Sequence, residues 1–272
     1  MGGGGNTDIT VVVACFNYGS YLAEAVDSAL GQAGGPPRVV VVDDGSDDRA
    51  TIEALQRLPD AVELVRQPNQ GVCAARNAGL ARASTPYALV LDADDRLPPG
   101  ALRMLRTPLD EDPHLGFSYG LMRFFGDWDG VLRFPPYDPY RLLYRHTIGL
   151  SALVRSEVVR DTGGFDPAFE QFEDWELWVN ALGHGWRGRQ VDEVTLEYRR
   201  HGATKLAADR DGYRRALARL QRKHADVYRG RPRWARESDL GVIGASWYRL
   251  WWGYRPLPAA LERGLHRVLW RA

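Results

Sequence analysis

The sequence predicts an α/β fold: a mostly parallel, Rossmann-like sheet covered by helices on both faces, with a helical C-terminal extension. Two observations carry this reading. From Asp8 to about Leu121, short β-rich runs alternate with helical patterns. The β-rich runs are also near-continuously apolar, as strands covered on both faces are. Three of these runs end in polar residues, "FNYGS", "DDGSDD" and "DADD", at the carboxyl ends where open α/β sheets bind their ligands.

Taken in order, residues 9–14 form the first strand. Ser20 stands as the N-cap of the helix that follows, with Leu22, Ala25, Val26, Ala29 and Leu30 at helical spacing. Residues 39–42, 62–65 and 87–91 are the next strands. Ile52, Leu55 and Leu58 mark a second helix, and the Ala-rich run 72–83 a third. The stretch 126–144, rich in aromatics and proline, reads as a long loop over the sheet. Residues 148–155 resume strand character, Ser156 caps a short helix, and "GGFDPAF" is turn chemistry. A helix over 174–184 turns Leu177, Trp178, Ala181 and Leu182 inward, and 191–199 reads as the last strand. Beyond Ala207 the pattern is helical.

Composition narrows the class. At 44% hydrophobic and 26% charged, the chain reads as an ordinary soluble globular protein. Its two cysteines, Cys15 and Cys73, build no disulfide framework and suit a reducing compartment. No apolar run reaches the ~18 residues of a membrane span, and "MGGGG" has neither the basic start nor the apolar core of a signal peptide. The expectation is a cytoplasmic protein with a flexible Gly-rich tail at 1–7. Formal net charge is zero but uneven: 199–236 holds 13 Lys and Arg against 3 Asp and Glu. That excess fits an anionic surface partner, or equally a solvated helix face.

Four clusters carry chemistry. Asp43-Asp44-Gly45-Ser46 after a strand serves a tight turn as readily as a ligand. Asp92-Ala93-Asp94-Asp95 places three carboxylates in four positions, which repel unless something positive is shared between them. Hard divalent cations want such oxygens and take only one or two protein carboxylates when phosphates supply the rest. The alternative is an acidic turn with Asp95 near a helix N-terminus. In "FEQFEDWELW", Glu170, Glu173, Asp174 and Glu176 crowd among aromatic rings. A carboxylate there is tuned as a general base, or simply favoured by the helix dipole. "YRRHG" ends a strand with His201, a ligand candidate or an ordinary surface histidine.

The motifs "VVVACFNYGSYLAEAVDSALGQ", "VVVVDDGSDD", "NQGVCAARNAGLARA", "YALVLDADD", "GGFDPAFEQFEDWELWVNAL" and "YRRHG" occur in one order. In that order they resemble glycosyltransferase family 2, inverting nucleotide-sugar enzymes of the GT-A fold. The resemblance covers about Asp8 to Leu206. It implies a catalytic domain over 8–206, with a nucleotide-sugar half at about 8–121 and an acceptor half at about 122–206, before a basic, Trp-rich extension over 207–272. Phe16, Asn17 and Tyr18 would line the nucleotide pocket, and Asp43 would accept from the base, a uracil-type imide in the commonest case. Arg76 would reach toward the nucleotide or its phosphates. Asp92, with Ala93 beside it, would touch the ribose side, while Asp94 would hold Mn2+ or Mg2+. His201 resembles a histidine that completes the metal or diphosphate site in some members. Asp174 resembles the catalytic base, opening its helix where backbone dipoles hold it ionised, with Glu173 orienting the acceptor.

Two departures stand out. Ala14 occupies a position where the family often has proline, and Asn180 one where it commonly has arginine. Neither removes a group the mechanism needs, so they bear on substrate detail. The implied donor is a nucleotide-diphosphate sugar, UDP-linked by preference, and the acceptor a sugar, lipid-linked or other hydroxyl; nucleic acid is not an expected partner. A nucleotidyltransferase would want a glycine-rich, Arg/Lys-bearing loop that "ACFNYGS" does not supply. A non-catalytic nucleotide-sugar-binding module would not need both "DADD" and "ED". Trp247, Trp251, Trp252 and Trp270 amid Arg249, Arg255, Arg263, Arg267 and Arg271 resemble an interfacial element for peripheral attachment to the inner face of a membrane. The same residues read equally as packing on the catalytic domain or as an oligomer contact.

Overall fold

The computed structural model describes residues 6–169, 171–201 and 210–254. Residues 1–5, Glu170, residues 202–209, and Trp270 with Arg255, Arg263, Arg267 and Arg271 lie outside the described residues. The last two positions of the expected flexible tail at 1–7 are instead ordered: they open a 3-10 turn, Asn6–Asp8, and Asn6 is buried with Nδ2 donating to the Ala33 carbonyl at 2.9 Å. The described chain forms two units, one of 6–137 and 147–201, the other of Asp138–His146 with 210–254.

In the first unit, β1 (Ile9–Cys15), α1 (Gly19–Leu30), β2 (Arg38–Asp43), α2 (Arg49–Gln56), β3 (Val62–Arg66), α3 (Val72–Leu80) and β4 (Tyr87–Asp92) alternate as expected. Then come α4 (Ala101–Glu111), β5 (Leu115–Gly126) and β6 (Gly130–Leu132). Beyond α5 (Pro139–Leu142), which belongs to the second unit, follow β7 (Leu153–Arg155), α6 (Ser156–Thr162), α7 (Glu173–Gly183) and β8 (Arg187–Arg200). One sheet holds all the strands of the described residues in the order β3-β2-β1-β4-β7-β5-β6, with β8 beside β5. The β3-β2-β1-β4 half is wholly parallel. The other half is mixed, since β7 runs antiparallel to β4 and β5 while β8 is parallel to β5.

Both faces of the parallel half are covered, which is why its strands are apolar throughout. Val11, Val13, Val39 and Val41 join Leu22 and Val26 of α1 and Leu102 and Leu105 of α4 in one core. The alternate residues meet α3 so closely that a Cβ on Gly79 would lie 2.1 Å from Val12 Cγ1. Only glycine permits that approach.

Several local expectations change. Ser20 is not the N-cap of α1. Tyr18 holds that place without a side-chain bond, and the Gly19 N–H instead donates to Thr51 Oγ1 at 2.7 Å. Asp48, by contrast, caps α2 through Thr51 N at 2.9 Å. Ser156 lies inside α6, its hydroxyl donating to the Thr85 carbonyl at 2.6 Å. Within 148–155 only Leu153–Arg155 is strand.

In the second unit, α5 is joined by α8 (Arg210–Lys223), α9 (Ala225–Arg229), α10 (Arg231–Glu237) and α11 (Gly241–Tyr248), the last continuing into a π-helical turn, Arg249–Tyr254. The expected loop over the sheet at 126–144 is therefore divided. β6 extends the sheet, while Asp138–His146 packs with the C-terminal helices. Polar bonds inside an apolar setting explain the grouping. Asp138 caps α5 and accepts from Ser238 Oγ at 2.5 Å. Tyr140 Oη donates to the Ala245 carbonyl at 2.9 Å, Tyr228 Oη to that of Leu143 at 2.7 Å, and Tyr213 Oη to that of Tyr144. Trp252 is buried in this unit against the Arg145 guanidinium at 4.4 Å, whereas Trp247 is exposed. Among the described residues no helix is long and apolar enough to cross a membrane.

Candidate functional site

The loops after β1, β2 and β4, the start of α7 and the end of β8 supply the expected site residues. Phe16 and Tyr18 are exposed after β1. Between them Asn17 takes a left-handed backbone at φ 56°, a conformation asparagine tolerates better than most. Its side chain ties the β1 loop to the β2 loop: Nδ2 donates to Asp47 at 2.8 Å, and Oδ1 accepts from the N–H groups of Asp47 and Asp48. Asp43 is buried, accepts from Ser46 N at 2.9 Å and lies 3.8 Å from Arg66 Nε. Asp44, its neighbour in the same turn, accepts from Gln67 Nε2, Gln70 N and Gly71 N at 2.7–2.9 Å. It thereby locks the approach to α3.

Arg76, on α3, lies between two carboxylates. Its side chain is 5% exposed, with Nη1 donating to Glu173 at 2.6 Å and Nη2 to Asp92 at 2.8 Å. Burial opposes the guanidinium charge, but the two carboxylates more than offset it. One cation therefore joins the "DADD" turn to the "ED" pair. Phe172, the residue before that pair, is held at φ 64°, a strained setting for an aromatic residue. This bend starts α7 so that Glu173 and Asp174 fall in its first turn, where the helix dipole favours negative charge. Burial pushes the Glu173 carboxyl up, and the neighbouring Asp174 pushes the same way, against Arg76. Asp174 is half-buried and accepts from the Trp175 N–H at 2.8 Å.

The three carboxylates after β4 have separate environments. Asp92 meets Arg76 as described, and Ala93 is buried. Asp94 lies 2.9 Å from His201 Nε2. Burial pushes its carboxyl up, the His201 bond pulls it down, and Asp92 adds to the rise. Asp95 is 2% exposed and accepts from the Arg199 N–H at 2.9 Å. Burial, then the charges of Asp92 and Asp94, raise it well above the carboxylate range. It is not a cap for α4, which starts at Ala101.

Arg199, also unmarked in the sequence reading, holds this turn against β8. Its Nε donates to the Asp94 carbonyl at 2.9 Å, its Nη2 pairs with Glu24 of α1, and its guanidinium lies 4.7 Å from the Tyr21 ring and 4.3 Å from Phe125. Two residues on, His201 rests against the rings of Tyr18 and Tyr21 at 5.8 and 5.1 Å.

Among the described residues no three His, Cys, Asp or Glu side chains converge to cage a metal ion. A hard cation sharing its shell with a diphosphate needs only one or two protein carboxylates. Asp94, backed by His201 and oriented through Arg199, fits that lesser demand.

A family model, Glycosyl transferase family 2, matches residues 10–159. The succinoglycan biosynthesis protein ExoO of Rhizobium meliloti is 42% identical over 71% of this chain and 60% of its own length. An uncharacterized glycosyltransferase of Nostoc is 40% identical over 36% of this chain and 31% of its own, so the chain spans less than two thirds of either relative. An Escherichia coli UDP-Glc:α-D-GlcNAc-diphosphoundecaprenol β-1,3-glucosyltransferase, WfaP, is 26% identical over 73% of this chain and 80% of its own. The structure of S. aureus TarS with UDP-GlcNAc superposes with a TM-score of 0.65 at 20% identity, over 78% of this chain and 66% of that one. That likeness confirms the GT-A fold. Because the matched model spans every strand from β1 to β4 and the Asp92–Asp95 turn, this chain belongs to glycosyl transferase family 2.

Proposed function

We propose that the chain is an inverting glycosyltransferase that moves a sugar from a nucleotide diphosphate, UDP by preference, to an acceptor hydroxyl. The observation that carries this is the shared guanidinium of Arg76. It sets the donor-side carboxylate Asp92 and the base-side carboxylate Glu173 within hydrogen-bond reach of one group.

Asp174 takes the proton from the acceptor hydroxyl, whose oxygen attacks the anomeric carbon from the side opposite the nucleotide. The bond from that carbon to the diphosphate oxygen breaks, and its electron pair leaves with the diphosphate. A single displacement needs one base and no covalent intermediate. Glu173, held by Arg76, orients the acceptor, while Asp43 accepts from the base and Phe16 and Tyr18 flank the nucleotide. When Mn2+ or Mg2+ is bound at Asp94 and His201, it supplies positive charge to the departing diphosphate. The names of WfaP and of the TarS complex support a UDP-sugar donor and a glycoconjugate product.

Asp174→Asn preserves shape and cannot accept a proton. Turnover should fall by about 10²–10⁴ while donor affinity, measured by calorimetry, stays unchanged. Full turnover in Asp174→Asn with an inactive Glu173→Gln would move the base one residue upstream. Donor binding with no transfer to any hydroxyl acceptor would leave a binding module instead.

A further inference from the structure

The second unit has an apolar surface that its own packing leaves open. α11 and the turn after it are apolar nearly all round. Ala245 and Trp252 face inward and are buried. Val242, Ile243, Trp247, Leu250 and Tyr254 face outward, 44–79% exposed. A helix apolar on every side is ordinarily enclosed, and a contiguous exposed patch of this kind marks an interaction surface.

The rim of the patch is basic. Arg214 donates to the Tyr254 carbonyl at 3.1 Å and Arg249 to the Tyr254 hydroxyl at 3.3 Å. Residues 210–254 hold 11 Lys and Arg against 4 Asp and Glu.

We propose that this face docks the protein peripherally on an anionic phospholipid surface. The aliphatic tips of Val242, Ile243 and Leu250 enter the acyl boundary, Trp247 and Tyr254 sit at headgroup level, and the arginines meet the lipid phosphates. Charge complementarity selects this occupant. A second copy placed across a two-fold axis would set the basic rim against itself. Residues 255–272 hold 4 arginines and a single acid, Glu262, so they too would bring positive charge to a positive rim. The docking is independent of the transfer chemistry.

The test is flotation of the full chain with phosphatidylglycerol-containing vesicles and with pure phosphatidylcholine vesicles. Binding should favour the anionic vesicles and weaken as salt rises. Ile243→Asp with Trp247→Asp should lower affinity by at least about tenfold, and Arg214→Gln or Arg249→Gln by about fivefold each. Arg214→Gln and Ile243→Asp with Trp247→Asp should keep the wild-type thermal melt, since those side chains are exposed. Absence of vesicle binding, equal binding to both vesicle types, or undiminished binding by Ile243→Asp with Trp247→Asp would overturn the proposal. A concentration-dependent dimer that this double variant abolishes, without vesicle binding, would overturn it in favour of a second copy.

Discussion

Replacing Arg76 with glutamine removes the cation shared by Asp92 and Glu173. The guanidinium is 5% exposed and its two bonds are 2.6 and 2.8 Å long. Breaking a buried ion pair from one side costs about 3–5 kcal/mol, because a charge is left without compensation. Asp92 remains 31% exposed and rehydrates in part, which favours the lower end, about 3 kcal/mol. For a domain of this size that is roughly 6–12 °C in Tm. The loss should depend on pH in a definite direction. Glu173 is already raised above its ordinary 4.5, by burial first and then by Asp174. A carboxyl raised on folding contributes stability that is fully present below 4.5 and lost as pH rises through its folded value. Without Arg76 that folded value climbs further, so more is lost at neutral pH. Melts followed by circular dichroism should therefore show a narrow gap between wild type and variant near pH 4.5, widening toward neutrality. Adding Glu173→Gln to Arg76→Gln should recover much of the gap. A fall in Tm under about 2 °C, or a gap that does not change with pH, would refute the view that Arg76 neutralises these carboxylates.

Two further outcomes follow from the same geometry. Mn2+ binding, read by the paramagnetic resonance signal of the free ion, should be lost in Asp94→Ala and weakened roughly 10–100-fold in Arg199→Met, since Arg199 holds the Asp94 backbone and the end of β8; unchanged binding in both would remove the metal site from this turn. Gly79→Ala, which sets a Cβ 2.1 Å from Val12 Cγ1, should cost about 1–3 kcal/mol by overpacking, and a denaturation midpoint equal to wild type would show that α3 lifts from the sheet freely.

The sequence by itself determined the parallel half of the sheet and the strand ends that carry the polar turns. Continuous valine runs with polar ends are local patterns, and β1 to β4 match them to within a residue or two. β5 was not legible because Gly116 and Gly120 interrupt its apolar run. In the fold Gly120 lets β8 approach so closely that a Cβ would meet the Glu193 carbonyl at 2.5 Å. Tertiary structure alone decided which charge meets which. Arginine suits a phosphate or a carboxylate equally well, and only the fold carries Arg76 between residues 16 and 97 positions away. Arg199 looked like part of a solvated basic run until β8 brought its N–H to Asp95, 104 positions away. In the same way 138–144 read as part of a loop, because beyond the Tyr140–Tyr144 ring contact its polar partners are remote in sequence. The Tyr140 hydroxyl and the Leu143 and Tyr144 carbonyls bond to residues 69–105 positions away in the C-terminal helices. A periodic pattern reports which face of an element is buried, but the partner of a buried polar group depends on what the packed chain leaves within about 3 Å of it.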